Sequence, residues 1–181
     1  MSQALIVIDV QNEYVTGQLP IAHPEVESSL ERIGVAMDAA AAAGLSVVVV
    51  RHTEPDPDGG VFVSDTPEWQ LHSEVLRRPH DLLIDKKLPG SFTGTELEVW
   101  LRDHGVDQVV IAGYMTHMCV DTTSREAMHH GFEVTVLDDA TGTIDLSADL
   151  PAALVHRVEL GVLASGFATV AHTDDWIATL G

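Results

Sequence analysis

Short apolar runs of strand length alternate along this chain with segments of helical pattern, and this alternation restricts the possible folds more than any other feature. The strongest run, residues 46–51, contains four consecutive valines and is typical of a parallel strand buried on both faces. Residues 25–43 form a helical segment before it, with Pro24 where a first turn tolerates proline and Gly44 where a helix ends. Strands paired with helices in this way predict right-handed crossovers and a parallel sheet.

The same alternation continues through the rest of the chain. Further strands are predicted at residues 4–10, 81–85, 108–113, 133–137 and 167–171, and further helices at residues 95–104, 120–130 and 151–160. Residues 53–80 contain four of the eight prolines and predict a long loop with one short helix. No repeat, low-complexity tract or linker divides the chain, so we expect residues 1–181 to form a single domain with three α/β/α layers.

The balance of charges excludes several classes of partner. Lysine and arginine total 9 against 28 acidic residues, which gives a formal net charge of −19. We therefore expect no binding to nucleic acid or to an anionic membrane, because both require basic surface. No apolar run approaches the roughly 20 residues of a membrane span, and the first residues lack the basic start of a signal peptide. These features predict a cytoplasmic protein that acts on a small molecule.

Chemically active side chains follow the predicted strands. Asp9, His52 and Lys86 lie at or just after the ends of three strands, and residues 113–119 follow a fourth. Because ligands bind beyond the carboxyl ends of parallel strands, we expect these groups to converge at one edge of the sheet. Cys119 is the only cysteine, which excludes an intrachain disulfide and leaves either an inert apolar residue or a nucleophile.

The expected neighbours of Cys119 favour the nucleophile. The thiolate is the reactive form of cysteine, and both the start of the helix predicted at residues 120–130 and a nearby lysine would stabilise it. An aspartate within hydrogen-bond reach can take the thiol proton and later return it to a leaving amine. Backbone N–H groups in the turn from Met115 to Cys119, those of these two residues included, would form an oxyanion hole.

Three segments resemble the signature blocks of the isochorismatase-like cysteine hydrolases. They are residues 7–12 (VIDVQN), 86–95 (KKLPGSFTGT) and 113–120 (GYMTHMCV), in the order and spacing of that family. The resemblance implies a mainly parallel six-stranded sheet, a cis peptide between Tyr114 and Met115, and a homo-oligomer, either a dimer or a tetramer. It also implies hydrolysis of a C–N bond through a thioester.

The resemblance assigns a catalytic triad to this chain, with Asp9 as the base, Lys86 as the ammonium group and Cys119 as the nucleophile. Lys87 is the alternative to Lys86. The family block places its lysine six residues before a phenylalanine, here Phe92, and this spacing selects Lys86. Neighbours on a strand point to opposite faces, so only one of the two lysines can enter the site.

A departure from some relatives bears on metals. Nicotinamidases of the superfamily carry an Asp-x-His metal motif after the second strand, whereas residues 51–54 here are RHTE. His52, Glu54, His72 and His80 match no metal-site spacing. We therefore expect neither a metal nor a cofactor, and nicotinamidase activity is disfavoured.

The retained Cys119 favours amide chemistry, because isochorismatases that cleave a vinyl ether need no thiol nucleophile. We expect hydrolysis of a small amide, a carbamoyl or ureido compound, or a lactam. Two alternatives stay open. One is a vinyl ether hydrolase of the isochorismatase type with Asp9 as general acid, and the other is a catalytically silent binding protein on the same fold.

Several residues near these positions are candidates for binding the substrate. The candidates are Gln11, Tyr14, Phe92, Tyr114 and His117, with Met115 as a further apolar wall. Core packing explains the aromatic residues and Gln11 equally well, and capping of the turn explains His117 equally well.

Overall fold

Six parallel strands form the centre of the molecule in a computed structural model that describes residues 2–181. They are β1 (Gln3–Ile8), β2 (Ser46–His52), β3 (Leu82–Lys86), β4 (Gln108–Tyr114), β5 (Glu133–Gly142) and β6 (Thr169–Ala171). Their order in the sheet is β3-β2-β1-β4-β5-β6, so the strand order reverses between β1 and β4. A parallel sheet offers a crevice for ligands at the carboxyl ends of its strands where such a reversal occurs.

Helices cover both faces of this sheet. They are α1 (Val26–Ala42), α2 (Ser73–Leu76), α3 (Leu97–Asp103), α4 (Asp121–His129), α5 (Ala152–Ala164) and α6 (Thr173–Ile177). Helices α1 and α6 pack on one face, and α3, α4 and α5 pack on the other. Residues of β1 alternate between the two cores: Leu5 and Val7 face the first, and Ala4, Ile6 and Ile8 face the second. The predicted three-layer α/β/α fold with a parallel six-stranded sheet is confirmed.

Strand β5 is longer than predicted because its pairing with β4 is irregular. Ile111 of β4 pairs with Val136, but Gly113 pairs with Thr141. Over that interval β4 advances by two residues and β5 by five, so β5 contains three additional residues. The sequence pattern predicts an end at residue 137, because the apolar run stops where the irregular stretch begins.

The helices differ from the predictions at three places, the first of which is α5, which extends four residues beyond its predicted end at residue 160. Helix α6 is not predicted, because five residues are too few to show a helical period. A π-helical turn at Thr116–Val120 precedes α4, where the sequence pattern starts the helix at residue 120. Helix α2 is the short helix predicted within residues 53–80. No helix in residues 2–181 combines the length and the apolar character that a membrane crossing requires.

Candidate active site

The ends of three strands bring Asp9, Lys86 and Cys119 together. Asp9 directly follows β1, Lys86 ends β3, and Cys119 lies in the π-helical turn after β4. The Nζ atom of Lys86 lies 2.8 Å from Oδ2 of Asp9 and 3.2 Å from Sγ of Cys119. Asp9, Lys86 and Cys119 are 0%, 1% and 5% exposed. An ion pair and a thiol therefore share a site that water hardly reaches.

Three acceptors fix the ammonium group of Lys86. Besides its contacts with Asp9 and Cys119, Nζ donates a hydrogen bond to the backbone carbonyl of Leu88 at 3.0 Å. The contact with Asp9 is an ion pair, and the contacts with Cys119 and Leu88 are hydrogen bonds. Burial lowers the pKa of Lys86, but the charge of Asp9 and the hydrogen bonds with Asp9 and Cys119 outweigh burial and raise that pKa above its usual value. Lys86 is therefore a fixed positive charge.

Only one of the two adjacent lysines enters the site. Lys86 is buried against Asp9 and Cys119, whereas Lys87 is exposed, because successive strand residues point to opposite faces. Nδ1 of His52 also lies near the ammonium group, 3.4 Å from Nζ. Burial lowers the pKa of His52, so a neutral ring faces the cation.

Asp9 has an unusual backbone conformation. Its φ of +52° lies in the left-handed region, which costs a residue other than glycine roughly 1–2 kcal/mol. The Asp9 N–H donates to the Val50 carbonyl at 2.9 Å, and the Asp9 carbonyl accepts from the Gln11 N–H at 2.8 Å. Oδ1 of Asp9 is buried and has no hydrogen-bond partner in the described part of the chain. This oxygen is therefore open to accept a proton.

The turn that leads to Cys119 begins with a close approach of two backbones. A Cβ atom on Gly113 would lie 2.0 Å from the carbonyl oxygen of Ile8, and φ of Gly113 is +115°. Only glycine fits such a position. The peptide bond between Tyr114 and Met115 is cis, as the resemblance implies.

Cys119 lies inside a helical turn, whereas the sequence pattern predicts that it immediately precedes the first residue of a helix. The turn Thr116–Val120 is π-helical. The carbonyl of Met115 closes it by accepting hydrogen bonds from the N–H groups of Met118 at 3.0 Å and Val120 at 3.2 Å. The N–H groups of Met115 and Cys119 belong to this segment, and their role in an oxyanion hole stays a prediction.

The surroundings of the thiol differ from the sequence-based expectation of a stabilised thiolate. Burial and the charge of Asp9 raise the pKa of the Cys119 thiol well above its usual value, and Lys86 lowers it only in part. Desolvation and a neighbouring carboxylate both disfavour a second negative charge. The resting group is therefore a thiol beside a carboxylate, and the sulfur can act as a nucleophile only if this proton leaves.

The isochorismatase domain model matches residues 3–175. This chain belongs to the isochorismatase family. The isochorismatase family protein YddQ of Bacillus subtilis (strain 168) is 31% identical over 98% of this chain and 99% of that protein. A solved structure from Burkholderia xenovorans LB400 is 46% identical, with a TM-score of 0.94 over 98% of this chain and 86% of that one. The structure of N-carbamoylsarcosine amidase from Thermoplasma acidophilum is 26% identical, with a TM-score of 0.78 over 96% of this chain and 98% of that one.

In this isochorismatase-family chain, the loop after β3 is bound to α4, the helix that follows Cys119. Ser91 contacts Oγ1 of Thr123 through its N–H at 3.1 Å and through its Oγ at 2.9 Å. The carboxylate of Glu126 accepts hydrogen bonds from the N–H of Phe92 at 3.0 Å and from the hydroxyl of Thr93. The second signature block therefore connects the strand that ends in Lys86 with α4.

The ring of Phe92 has partners within the core, and its contact with substrate stays a prediction. The ring stacks on His130 at 5.1 Å and packs on Phe132 at 5.9 Å between centroids. These partners lie after the C-terminal end of α4, a helix of nine residues that spans about 13 Å. Cys119 precedes the other end of α4, so the ring fills the core beneath the loop.

Two further predicted pocket residues are occupied by contacts within the protein. The Gln11 amide donates to the carbonyls of His52 at 3.0 Å and Trp69 at 2.8 Å, and it accepts from the His52 N–H at 2.9 Å. The Tyr114 hydroxyl lies 2.6 Å from Oγ of Ser29 on α1. Both side chains are fully buried. Gln11 and Tyr114 therefore hold the scaffold together and do not offer free groups to a ligand.

Tyr14 and His117 lie closer to the proposed triad. Burial raises the pKa of the Tyr14 hydroxyl, and negative charge on Cys119 or Asp9 raises it further, so the ring lies within electrostatic reach of both. His117 is half-buried, its Nδ1 contacts Oγ1 of Thr143, and burial lowers its pKa. Contact of Tyr14 or His117 with substrate stays a prediction.

The histidines considered as metal ligands have other partners. Nδ1 of His72 accepts a hydrogen bond from the Glu74 N–H at the start of α2, at 3.2 Å, and His52 faces Lys86. Within residues 2–181, one group has three potential ligand atoms close together: Asp138, Asp139 and His172. This group joins β5 to the start of α6 and contains no residue of the predicted triad.

The sequence patterns miss two polar contacts of the site. These are the contact of His52 with Lys86 and that of His156 with Thr116. A buried histidine needs a hydrogen-bond partner, and the position of His156 among the apolar residues of α5 is the one signal in the sequence that points to it. Its partner cannot be read from the sequence, because the two residues lie on separate elements.

Proposed function

We propose that this protein is a cysteine amidohydrolase, which cleaves a C–N bond of a small molecule through a thioester on Cys119. The observation that supports this most directly is the ammonium group of Lys86 between the carboxylate of Asp9 and the sulfur of Cys119. These groups supply a base, a cation and a nucleophile. Their burial strengthens the electrostatic interactions among them, because the local dielectric constant is low.

In the first half of the proposed reaction, Asp9 takes the proton of the Cys119 thiol while the sulfur attacks the carbonyl carbon. The negative charge that develops on the carbonyl oxygen is stabilised by the N–H groups of Met115 and Cys119. Asp9 then gives the proton to the nitrogen, the C–N bond breaks, and ammonia or an amine leaves. The raised pKa of the thiol suits a step in which the proton and the sulfur move together.

In the second half, water cleaves the thioester. Asp9 takes a proton from the water as its oxygen attacks the carbonyl carbon, and the proton returns to the sulfur as the C–S bond breaks. The products are a carboxylic or carbamic acid and the free Cys119 thiol. Lys86 stays positively charged throughout and offsets the negative charge that alternates between Asp9 and the sulfur.

A small amide, a carbamoyl or ureido compound, or a lactam is the proposed substrate class. All of them present a carbonyl carbon bonded to nitrogen, which the two half-reactions require. The similarity to an N-carbamoylsarcosine amidase supports this class. The low exposure of Asp9, Lys86 and Cys119 further favours a small or slender reacting group.

A panel of small carboxamides, ureido compounds and lactams, assayed for release of ammonia or amine, tests the proposal. Cys119→Ala is expected to lower kcat/KM by about 10³-fold or more, because the covalent route is lost. Hydroxylamine added to the wild-type protein is expected to trap the acyl group as a hydroxamate. Lys87→Met is the matched control, and it should keep wild-type activity because Lys87 is exposed.

Two outcomes would contradict the proposal. Cleavage of isochorismate that survives Cys119→Ala would identify a vinyl ether hydrolase with Asp9 as the acid. A complete absence of turnover, together with a reactivity of the Cys119 thiol that is the same in Asp9 and Lys86 variants, would identify a binding protein.

A further inference from the structure

A buried histidine connects the nucleophile turn to α5. Nδ1 of His156 lies 2.9 Å from Oγ1 of Thr116, and Nε2 of His156 lies 3.1 Å from the backbone carbonyl oxygen of Asp138. Thr116 is fully buried and His156 is 7% exposed. Thr116 is the first residue of the π-helical turn that contains Cys119. The contact is therefore made at the base of the segment that presents the sulfur.

The partners of His156 fix the position of its ring proton. A backbone carbonyl can only accept, so Nε2 carries the hydrogen and donates it to Asp138. In a neutral imidazole Nδ1 is then unprotonated and accepts from the Thr116 hydroxyl. Burial, with a smaller effect from His23, lowers the pKa of His156 to about 4, so the ring is neutral at neutral pH. The hydroxyl proton of Thr116 is used in this bond and is not donated to Cys119.

The location of the two hydrogen bonds of His156 follows from the irregular pairing of β5 with β4. Asp138 lies between Val136 and Thr141, the positions where pairing with β4 stops and resumes. The carbonyl of Asp138 accepts from Nε2 of His156 on α5 and also from the hydroxyl of Thr141 at 3.4 Å. The same ring thus holds the irregular stretch of β5 with one nitrogen and the turn after β4 with the other.

We propose that His156 is a positioning residue, which fixes the turn through Thr116 so that Sγ of Cys119 stays in contact with Lys86. This inference rests on the proposed nucleophilic role of Cys119. The contact of Sγ with Nζ is 3.2 Å long, and a displacement of about 1 Å at such a site can lower the rate about 100-fold. The hydrogen bond of His156 to Thr116, the first residue of the turn, restricts both the rotation and the translation of the turn.

Two substitutions separate the two bonds of His156. The Oδ1 atom of asparagine can take the place of Nδ1, so His156→Asn keeps an acceptor for Thr116 and loses the donor to Asp138. The Nε2 atom of glutamine can take the place of the ring Nε2, so His156→Gln keeps that donor and loses the acceptor. Each variant loses one buried hydrogen bond, so similar losses of thermal stability are expected. Only His156→Gln is expected to affect Cys119.

The readout is the alkylation midpoint of Cys119, which is the pH at which iodoacetamide alkylates it at half the maximal rate. Each variant is measured with and without Lys86→Met. Removal of the cation should raise the alkylation midpoint if Sγ is held against Nζ. We expect this rise to shrink to about half or less in His156→Gln and in Thr116→Val. It should persist in His156→Asn and in Thr116→Ser, which keeps the hydroxyl. With a substrate from the panel, His156→Gln and Thr116→Val should lower kcat roughly 10- to 100-fold with little change in KM.

Thr173→Val is the control for a purely structural effect. Thr173 is fully buried and its hydroxyl donates to Asp139 at the start of α6, so its loss should lower the melting temperature and leave alkylation unchanged. If His156→Gln and Thr116→Val behave like this control, the inference is overturned and His156 only stabilises the fold. Two independent variants keep the test valid if one folds poorly. If neither Asp9→Asn nor Lys86→Met changes the alkylation midpoint of Cys119, the proposed triad itself is overturned, and the inference with it.

Discussion

The carbonyl oxygen of Ile8 occupies the space that a side chain at Gly113 would need, since a Cβ atom there would lie 2.0 Å from it. Ile8 is the last residue of β1 and precedes Asp9, and Gly113 lies near the end of β4. These two residues are paired in the sheet. Their close approach sets how near the two strand ends bring Asp9 and the turn that contains Cys119.

Gly113→Ala is expected to push these strand ends apart. The added methyl group meets backbone atoms that cannot rotate away, and φ of +115° is strained for alanine, so we expect a loss of about 3 kcal/mol or more in the free energy of unfolding. Urea unfolding measures it. Gly161→Ala is the control: Gly161 lies in α5 with nothing within 4 Å of its Cβ position, so alanine should stabilise by about 0.5–1 kcal/mol. A Gly113→Ala protein as stable as wild type would show that the two strands can separate freely.

The alkylation midpoint of Cys119 should move in opposite directions when its two charged neighbours are removed. Asp9→Asn should lower the midpoint, because the carboxylate raises the pKa of the thiol, and Lys86→Met should raise it, because the ammonium group lowers that pKa. Iodoacetamide labelling followed by mass spectrometry across pH measures both shifts. Lys87→Met should leave the midpoint unchanged. Shifts of the same sign in the Asp9 and Lys86 variants would contradict the charge arrangement described here.

Tyr114→Phe should weaken the fold and spare ligand binding. The Tyr114 hydroxyl forms a buried 2.6 Å contact with Ser29, and loss of such a hydrogen bond costs about 1 kcal/mol. Ser29→Ala should have a similar effect, and the double variant should lose less than the sum, because both changes remove one bond. Thermal unfolding of the three variants provides the measurement. An increased KM with unchanged stability in Tyr114→Phe would contradict this and show that Tyr114 contacts the substrate.

Stability should decrease when the pH falls from about 6.5 to about 4 because of His156. Burial, and then His23, lowers the pKa of His156 from 6.5 to about 4 in the folded protein. Between these values the unfolded chain binds a proton that the folded protein does not, so acidification favours unfolding. His156→Asn should show a shallower decrease in urea titrations from pH 7 to pH 4. Parallel curves for the two proteins would show that His156 keeps a normal pKa when folded.

The sequence reveals the sheet well because burial on both faces leaves a visible pattern. The valines of residues 46–51 mark β2, and the segment at residues 25–43 marks α1, whose bounds are Val26–Ala42. By contrast, the aromatic residues Phe92 and Tyr114 suit a core or a pocket equally well in sequence. Only their partners, His130 and Phe132 for one and Ser29 for the other, place both in the scaffold.

By itself, the sequence determined the alternation of strands and helices, the family, and the side chains that could meet at the carboxyl edge of the sheet, because these depend on local pattern and on the order of motifs. Tertiary structure decided which of those side chains do meet, and in what protonation state. The contact of Lys86 with Cys119 spans 33 residues of chain and that of Thr116 with His156 spans 40. Such contacts, and the burial that raises the pKa of Cys119, depend on distances through space, which arise only when separate elements pack together.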